Sequence, residues 1–373
     1  MAKLLHVSAN VFPDLETEHS TKKIWKELSK GFDEYHILAR SKNNSFHTYK
    51  QGNLYLHLVP NFKKAASFSV TSFYAISIIK KYNIDIILSQ CPILGGFTAN
   101  ILAKIKKIPV FQEVHDTYYF DLYKSKKVRD RLLSIIVSYS VKNASKVRAL
   151  NNMMAEMLIS IVPSANISII ENRVDIKKFV AKKSYELHDP IRITSVGTFV
   201  RRKGYHTAID AIKELRKQYN CELILVGGGT EKNNLRQQSN GFNDIKLFDR
   251  LPQEELAKIL SDTDIYIQPS LREGMPRTIL EAMAMRLPIV ATNVSTIPGT
   301  IIHNVNGLIV EPEDSEGLAN AIGQLINNEK LRNEVAQNAY NDAINKFEWD
   351  KSFEIYRTEL INTIKEYKKA RGR

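Results

Sequence analysis

Two glutamates eight residues apart bracket a predicted turn between a strand and a helix. Glu273 lies in the loop, and Glu281 lies about two turns into the helix predicted over Thr278–Met285. A buried strand is predicted just before them, over the apolar run Ile265–Ile267. Carboxylates accept hydrogen bonds from hydroxyl groups, and a helix N-terminus offers free N–H groups to an anion, so this stretch could bind a phosphorylated sugar. The alternative is a capped surface helix with solvated glutamates.

Three consecutive cations, Arg201, Arg202 and Lys203, follow another predicted strand and precede Gly204. The next helix is predicted to begin at about Tyr205, which places the cations near the positive end of its dipole. That position is unfavourable unless an anion neutralises them. A diphosphate would do so, with lysine as a point charge and arginine as a fork. The alternative is a solvated basic loop.

Three other patterns are weaker. Val226–Gly229 ends a predicted strand in three glycines, which could approach a ligand closely or form only a tight turn. His115 follows the predicted strand Pro109–Val114 at its carboxyl end, where open α/β sheets place ligands, although a lone loop histidine is more often structural. Asp262 and Asp264 have a metal-ligand spacing, but we interpret them as cap and turn residues and predict no metal site.

The stretch from Ser270 to Ala284 resembles the donor-site motif of glycosyltransferase family 4, whose members are retaining enzymes with the GT-B fold. The resemblance continues at Gly197–Gly204, which is similar to the diphosphate site of that family, with Lys203 matching its lysine. Asn172–Asp175 resembles the linker that opens the second domain, and Asn306–Asp314 also follows the family pattern. The resemblance therefore spans nearly the whole chain and is densest in its second half.

Some positions depart from the family pattern. Thr198 stands where the family usually has arginine, so Arg201 or Arg202 would have to supply the second cation. Arg173 stands where glycine is usual, which would strain the backbone if that turn needs a positive φ. Ser295-Thr296 replaces a usual glycine pair, and Gly299 a usual glutamate. The loop predicted over Ser8–Leu15 lacks another glycine pair.

The family resemblance implies an α/β chain with two Rossmann-like domains facing across a cleft. We expect an acceptor-binding N-terminal domain at 1–172, a nucleotide-sugar-binding C-terminal domain at 173–350, and a helix at 351–373 that crosses back to the first domain. The length of 373 residues suits two such domains. The alternation of β-branched runs with amphipathic stretches independently predicts parallel α/β units.

The resemblance also implies roles for individual residues. The diphosphate would be bound by Arg201, Arg202 and Lys203. The ribose would be bound by Glu281, and the sugar by Glu273, Gly274, Met275 and Pro276. The base would lie against Asp249, Arg250 and Leu251. The catalytic residues would be His115 and Glu273. The co-substrate would be a UDP- or GDP-linked sugar, with no cofactor and no metal.

Charge and composition indicate where in the cell the protein would act. The formal net charge is +13, and residues 1–172 carry 23 Lys/Arg against 13 Asp/Glu. Basic clusters such as Lys63-Lys64 and Lys124–Arg131 could hold the chain against an anionic membrane surface, or could form a soluble face rich in lysine. No apolar run is long enough for a membrane span, and the N-terminus does not read as a signal peptide. The two cysteines are far apart in sequence, so a disulfide framework is not expected and we expect a cytoplasmic protein. If the basic clusters bind an anionic membrane, the protein would be peripheral on the inner face of that membrane.

The sequence thus predicts a retaining glycosyltransferase that moves a sugar from a nucleotide-diphosphate sugar to a hydroxyl acceptor. The acceptor would be a glycan or a lipid-linked sugar in bacterial surface polysaccharide or glycolipid assembly. Two alternatives remain open, a catalytically idle GT-B partner subunit and a GT-B sugar-nucleotide epimerase. No nucleic-acid-binding module is recognised, so charge alone does not indicate a nucleic-acid partner.

Overall fold

The structure is a computed structural model that describes residues 2–17, 19–62, 65–182 and 184–372. The basic pair Lys63-Lys64 therefore lies outside the described residues. The chain divides into two compact units. The first combines Met1–Glu171 with Phe353–Arg373, and the second is Asn172–Ser352. The chain thus leaves the first unit after Glu171 and returns to it at Phe353.

The first unit is built on a mostly parallel sheet with strand order β3-β4-β2-β1-β5-β6-β7-β8. Its strands are β1 Ala2–Phe12, β2 Phe32–Ser41, β3 His47–Gln51, β4 Leu54–Val59, β5 Ile86–Ser89, β6 Val110–Glu113, β7 Lys146–Ala149 and β8 Ile167–Ile169. Its helices are α1 Ser20–Ser29, α2 Phe68–Thr71, α3 Ala75–Tyr82, α4 Gly96–Lys106, α5 Tyr118–Lys124, α6 Val128–Asn143 and α7 Asn152–Ile161.

Two features of this unit differ from the sequence-based expectation. The mostly exposed strand β3 was not predicted; it pairs antiparallel with β4 at the sheet edge. The loop predicted over Ser8–Leu15 is largely strand, because β1 continues to Phe12 beyond an irregularity between Val7 and Val11. The central strands β5 and β6 are buried along their whole length, as is usual for strands covered by helices on both faces.

The second unit has a parallel sheet with strand order β11-β10-β9-β12-β13-β14. Its strands are β9 Ile191–Val196, β10 Cys221–Val226, β11 Ile245–Phe248, β12 Ile265–Gln268, β13 Ile289–Thr292 and β14 Leu308–Val310. Its helices are α8 Tyr205–Leu215, α9 Lys232–Gln238, α10 Gln253–Ser261, α11 Arg277–Ala284, α12 Ser315–Asn327 and α13 Glu329–Lys346. Apolar side chains of α8 and α12 pack with those of β9, β10 and β12 in one core cluster.

The central strands of the second unit hold the candidate site at their carboxyl ends. Because β9 lies between β10 and β12, the segments that leave β9 and β12 emerge side by side, at the edge where parallel sheets place ligands. Arg173 does not have a positive φ, so arginine in place of glycine is not strained there. Its guanidinium carbon lies 5.8 Å from the centre of the Trp349 ring.

The last helix, α14 (Trp349–Lys369), begins in the second unit and ends in the first. Within the first unit its Tyr356 is buried, and Arg357 Nη1 donates a 2.9 Å hydrogen bond to the carbonyl of Glu27. The predicted return of the chain to the first unit through a C-terminal helix is therefore present. Among the described residues, none of the helices combines the length and the apolar character needed to span a bilayer.

Candidate active site

Glu273 is the centre of a buried polar cluster in the second unit. Its carboxylate oxygen Oε1 accepts a hydrogen bond of 2.7 Å from Ser270 Oγ and one of 3.1 Å from Gln268 Nε2. Lys203 Nζ pairs with the same oxygen, and Arg202 Nη1 lies 3.9 Å from the other oxygen, Oε2. Glu273 is only 4% exposed, so its charge is stabilised chiefly by these donors rather than by water.

Gln268 orders this cluster from the end of β12. Its carbonyl Oε1 accepts hydrogen bonds from Tyr266 and Thr278, which leaves Nε2 to donate to Ser270 and Glu273. The amide therefore has its orientation fixed from both ends, and the Glu273 carboxylate is held in one place.

The basic turn, Arg201–Lys203, is tied directly to the loop that carries Glu273. The backbone N–H of Leu271 donates a 2.8 Å hydrogen bond to the carbonyl of Arg202. Gly204 approaches the carbonyl of Pro269 so closely that a Cβ atom there would lie 1.8 Å from its oxygen. With a φ of +64°, Gly204 also separates the basic turn, a short 3-10 segment, from α8. The cations therefore lie just before α8, which begins at Tyr205 as predicted.

The three predicted diphosphate ligands do not share one environment. Lys203 is largely buried beside Glu273, and Arg202 is partly exposed near the same carboxylate. Arg201 is exposed, with Nη2 3.9 Å from Glu313. The structure thus brings Lys203 and Arg202 together at Glu273, and it directs Arg201 elsewhere.

We name residues 269–276 the glutamate loop; it is anchored by Ser295 and Thr296, two residues after β13 that depart from the family pattern. Thr296 donates its hydroxyl hydrogen bond to the carbonyl of Gly274. Ser295 accepts a 3.3 Å hydrogen bond from the backbone N–H of Glu273, and its φ of +53° lies in the left-handed region that favours glycine, the residue that the family resemblance implies here. The carbonyl of Met275 accepts a 2.7 Å hydrogen bond from Asn172. Gly274, Met275 and Pro276 are consequently buried and fixed.

Glu281 lies on α11, which begins at Arg277 after the glutamate loop. Burial raises the pKa of this glutamate from 4.5 to about 7, although Arg277 acts in the opposite direction. Within the described part of the chain its carboxylate makes no hydrogen bond. A half-buried carboxylate without hydrogen-bond donors is stabilised in its ionised form when a ligand supplies hydroxyl donors.

The predicted base-binding turn is exposed. Asp249 pairs with Lys232, Arg250 is exposed and Leu251 is partly buried. The neighbouring glycines have structural roles, because Cβ atoms on Gly227 and Gly229 would collide with the backbone of residues 197 and 199, whereas Gly228 faces open space.

Asp264, part of the Asp-x-Asp pair, is buried and already occupied. It accepts hydrogen bonds from the backbone N–H groups of His188 and Arg192, and from Lys182 Nζ at 3.0 Å. Burial opposes its ionisation, but these donors outweigh it and lower its pKa. These bonds attach residues 182–192 to the start of β12, so Asp264 is an anchor between distant segments and not the cap or turn residue predicted from the sequence. The described residues contain no group of three or more His, Cys, Asp or Glu side chains that could hold a metal ion.

His115 lies in the first unit just beyond the end of β6, beside a buried polar network that the sequence did not reveal. Its Nε2 atom lies 3.0 Å from Oε2 of Glu113, which is 4% exposed. The other oxygen of Glu113 accepts hydrogen bonds from Arg148 Nη1, at 2.7 Å, and from the hydroxyl of Tyr356. Burial opposes ionisation of Glu113, but His115, Arg148 and His6 outweigh it and hold its pKa well below the usual value.

The chain matches two family models that together cover most of its length. Residues 18–178 match the model described as Glycosyltransferase Family 4, and residues 177–342 match the one described as Glycosyl transferases group 1.

Three curated proteins are similar over most of the chain. One is an uncharacterized glycosyltransferase of Methanocaldococcus jannaschii, 28% identical, with 85% of this chain and 87% of the relative covered. The capsular polysaccharide biosynthesis glycosyltransferase CapM of Staphylococcus aureus is 27% identical, over 71% and 75%. The UDP-Gal:alpha-D-GlcNAc-diphosphoundecaprenol alpha-1,3-galactosyltransferase of Escherichia coli is 26% identical, over 79% and 80%.

Solved structures show the same fold. Sucrose-phosphate synthase from Thermosynechococcus elongatus aligns with a TM-score of 0.79 at 17% identity, covering 97% of this chain and 100% of that one. HepE of Anabaena, solved in complex with UDP-glucose, aligns with a TM-score of 0.76 at 18% identity over the same shares.

Proposed function

Because the chain belongs to glycosyltransferase family 4 and has the predicted GT-B fold, we propose that it transfers a sugar from a nucleoside-diphosphate sugar to a hydroxyl acceptor with retention of configuration. That it is a glycosyltransferase of the GT-B type, with relatives in bacterial polysaccharide assembly, is established by the family and its relatives. The observation that carries the finer proposal is the direct pairing of Lys203 with Glu273.

In the proposed reaction the nucleoside diphosphate leaves, and negative charge grows on its phosphates. Lys203, backed by the buried Glu273 carboxylate, is held in one position and would meet that charge without reorganising. Arg202 is the better candidate for the second cation, because it lies near the same carboxylate while Arg201 does not. Two cations in these positions would replace the metal ion that other glycosyltransferases use, so the proposed reaction needs none.

The remaining parts of the donor would be bound by the neighbouring elements. Glu281, whose carboxylate has no hydrogen bond within the described residues, would accept hydrogen bonds from the ribose hydroxyls. Glu273 and the fixed backbone of Gly274–Pro276 would bind the sugar. Residues 249–251 would lie against a uridine or guanosine base, chiefly through backbone groups.

The first unit would bind the acceptor, a glycan or a lipid-linked sugar, and His115 would bind a hydroxyl of the transferred sugar. In a retaining transfer without a protein nucleophile, the acceptor hydroxyl attacks the face from which the diphosphate leaves. Its proton then passes to the departing phosphate, so charge and protons balance without a further reagent. No organic cofactor takes part in this scheme.

Calorimetric titration with UDP, GDP and the matching nucleosides tests the donor site. We expect Lys203→Met to weaken diphosphate binding about 100-fold, since charge-assisted contacts to a phosphate contribute about 1.5–3 kcal/mol each, while nucleoside binding stays within about twofold. Arg202→Gln should weaken it more than Arg201→Gln. Lys217→Met is the matched control, because Lys217 is an exposed charge in the turn that follows the C-terminal end of α8. Equal effects of the Lys203 and Lys217 substitutions would contradict the proposal.

Activity assays then separate the three candidate functions. Incubation with a nucleotide sugar and an acceptor, in the presence of EDTA, should give a product whose anomeric configuration matches the donor by NMR. An isomerised sugar formed without acceptor would identify an epimerase. No binding of any nucleotide would instead identify an idle partner subunit.

The first unit also exposes an apolar stripe bordered by cations, which supports a membrane-associated site of action. Val128, Leu132 and Ile135 occupy one face of α6 at helical spacing and are 73%, 59% and 65% exposed. Phe97 of α4 extends this stripe by packing on Tyr139, with ring centres 5.3 Å apart. The flanking cations are also exposed, namely Lys104, Lys106, Lys107, Lys124, Lys126, Lys127, Arg129 and Arg131. We propose that this face rests on an anionic membrane surface on the cytoplasmic side.

Co-sedimentation with vesicles tests this surface. We expect binding to vesicles that contain phosphatidylglycerol but not to vesicles of phosphatidylcholine alone, with most of it lost at high salt. Leu132→Ser with Ile135→Ser should weaken binding, whereas Ile355→Ser, an exposed apolar residue on α14, should not. Absence of binding at low salt would remove the membrane proposal and leave the transferase proposal intact.

A further inference from the structure

His115 lies beside a buried network of polar side chains centred on Glu113. Glu113 is faced by groups from four elements: His6 on β1, His115 after β6, Arg148 on β7 and Tyr356 on α14. One carboxylate oxygen is taken by Arg148 and Tyr356, and the other lies 3.0 Å from His115 Nε2. The carboxylate therefore cannot rotate without breaking a bond to a buried partner.

The two nitrogens of the His115 imidazole point away from each other, so only one of them can face Glu113. Its Nε2 atom is buried and lies 3.0 Å from Glu113 Oε2, close enough for an ion pair but not aligned for a hydrogen bond, while a third of the side chain is exposed. In a neutral histidine, the nitrogen that faces a carboxylate carries the proton, and the other becomes the acceptor. Nδ1 makes no hydrogen bond within the part of the chain that the structure describes.

We propose that Glu113 is a positioning residue for His115: its buried carboxylate favours the tautomer that keeps the proton on Nε2, so that Nδ1 is the acceptor offered to a ligand hydroxyl. The proposal rests on the transferase function for its consequence, because the hydroxyl would belong to the donor sugar or the acceptor. Arg148 and Tyr356 hold the carboxylate in place; Arg148 is fixed in turn by the carbonyls of Ile170 and Glu171, at 2.7 and 2.9 Å.

NMR of ¹⁵N-histidine-labelled protein tests the tautomer without any assay of activity. The chain has nine histidines, so the His115→Asn variant is used to assign the His115 resonances. We expect a single Nε2–H tautomer in the wild-type protein and a mixture in Glu113→Gln. An Nδ1–H tautomer in the wild type would overturn the proposal, and this readout does not depend on how well any Glu113 variant folds.

Kinetics test whether Glu113 acts through His115. We expect Glu113→Gln to lower kcat about 10- to 100-fold, the range for a lost hydrogen bond to a charged group, with donor KM changed less than threefold. In a His115→Ala background the same change should cost less than about threefold, because coupled residues are not additive. Fully additive losses would show that Glu113 only supports the fold.

A matched control separates positioning from destabilisation. Glu34→Gln removes another half-buried carboxylate, 3.1 Å from His36 Nε2 on β2 of the same unit, and should leave kcat unchanged. A wild-type protein that shows the Nε2–H tautomer but transfers no sugar would refute the proposed function while leaving the assignment of Glu113 intact.

Discussion

Replacing Glu281 by glutamine should stabilise the protein and weaken ligand binding at the same time. Burial raises the pKa of Glu281 from 4.5 to about 7, so the fold prefers its protonated form. The stability that this preference contributes is fully present below pH 4.5 and is lost as the pH rises towards 7. The difference corresponds to about 3 kcal/mol, at about 1.4 kcal/mol per pH unit.

Glutamine is neutral at every pH and removes this loss. We therefore expect Glu281→Gln to raise the free energy of unfolding of the second unit by about 3 kcal/mol at pH 8 and by less than about 1 kcal/mol at pH 5. In a thermal scan at pH 8, the transition of this unit should move up by about 6–12 °C. The control is Glu334→Gln, an exposed glutamate on α13, which should change stability by less than about 0.5 kcal/mol at either pH.

Nucleotide affinity should change in the opposite direction. Loss of the charged acceptor for the ribose should weaken nucleotide binding about 10- to 100-fold, and wild-type affinity should itself rise as the pH passes through about 7. Urea unfolding at pH 5 and pH 8, paired with calorimetry, measures both effects. If Glu281→Gln lowered stability at pH 8, or changed it equally at both values, the assignment of a raised pKa to burial would be wrong.

Two further predictions concern the backbone around the site. Gly204→Ala should destabilise the second unit by at least about 3 kcal/mol, because its Cβ would meet the Pro269 carbonyl at 1.8 Å, whereas Gly228→Ala should be neutral in the same urea titration. Thr296→Val should cost about 1–2 kcal/mol and weaken nucleotide binding by loosening the glutamate loop, since its hydroxyl holds a buried carbonyl. Thr300→Val is its control, because that buried hydroxyl has no partner among the described residues; a larger loss for Thr300→Val would refute this account.

The elements that carry the site were predictable because their signals are local. The apolar strand β12, the turn after it and the helix α11 follow one another in sequence, and their order alone brings Glu273 to the carboxyl edge of the sheet. The GT-B fold was predicted from the same continuous stretch and is confirmed. In contrast, β3 was missed because a mostly exposed edge strand carries no apolar alternation.

The network around Glu113 was not predictable, because its members are distant in sequence. Arg148 is 35 residues away and Tyr356 is 243 residues away, and neither belongs to a spacing that indicates a contact. Ser295 and Thr296 illustrate the opposite case. The sequence marked them as departures from the family, but only the structure shows that they anchor the glutamate loop.

The first unit combines residues from both ends of the chain, so it cannot finish folding until the C-terminal segment has been synthesised. A ribosome adds about 5–20 residues per second, so Tyr356 follows Glu113 by roughly 10–50 s. In that interval the whole second unit emerges and can reach its native state, while the earlier half still lacks its final helix. Nascent chains released before Phe353 would therefore carry a complete second unit and a first unit in which Glu113 still lacks its hydrogen bond from Tyr356.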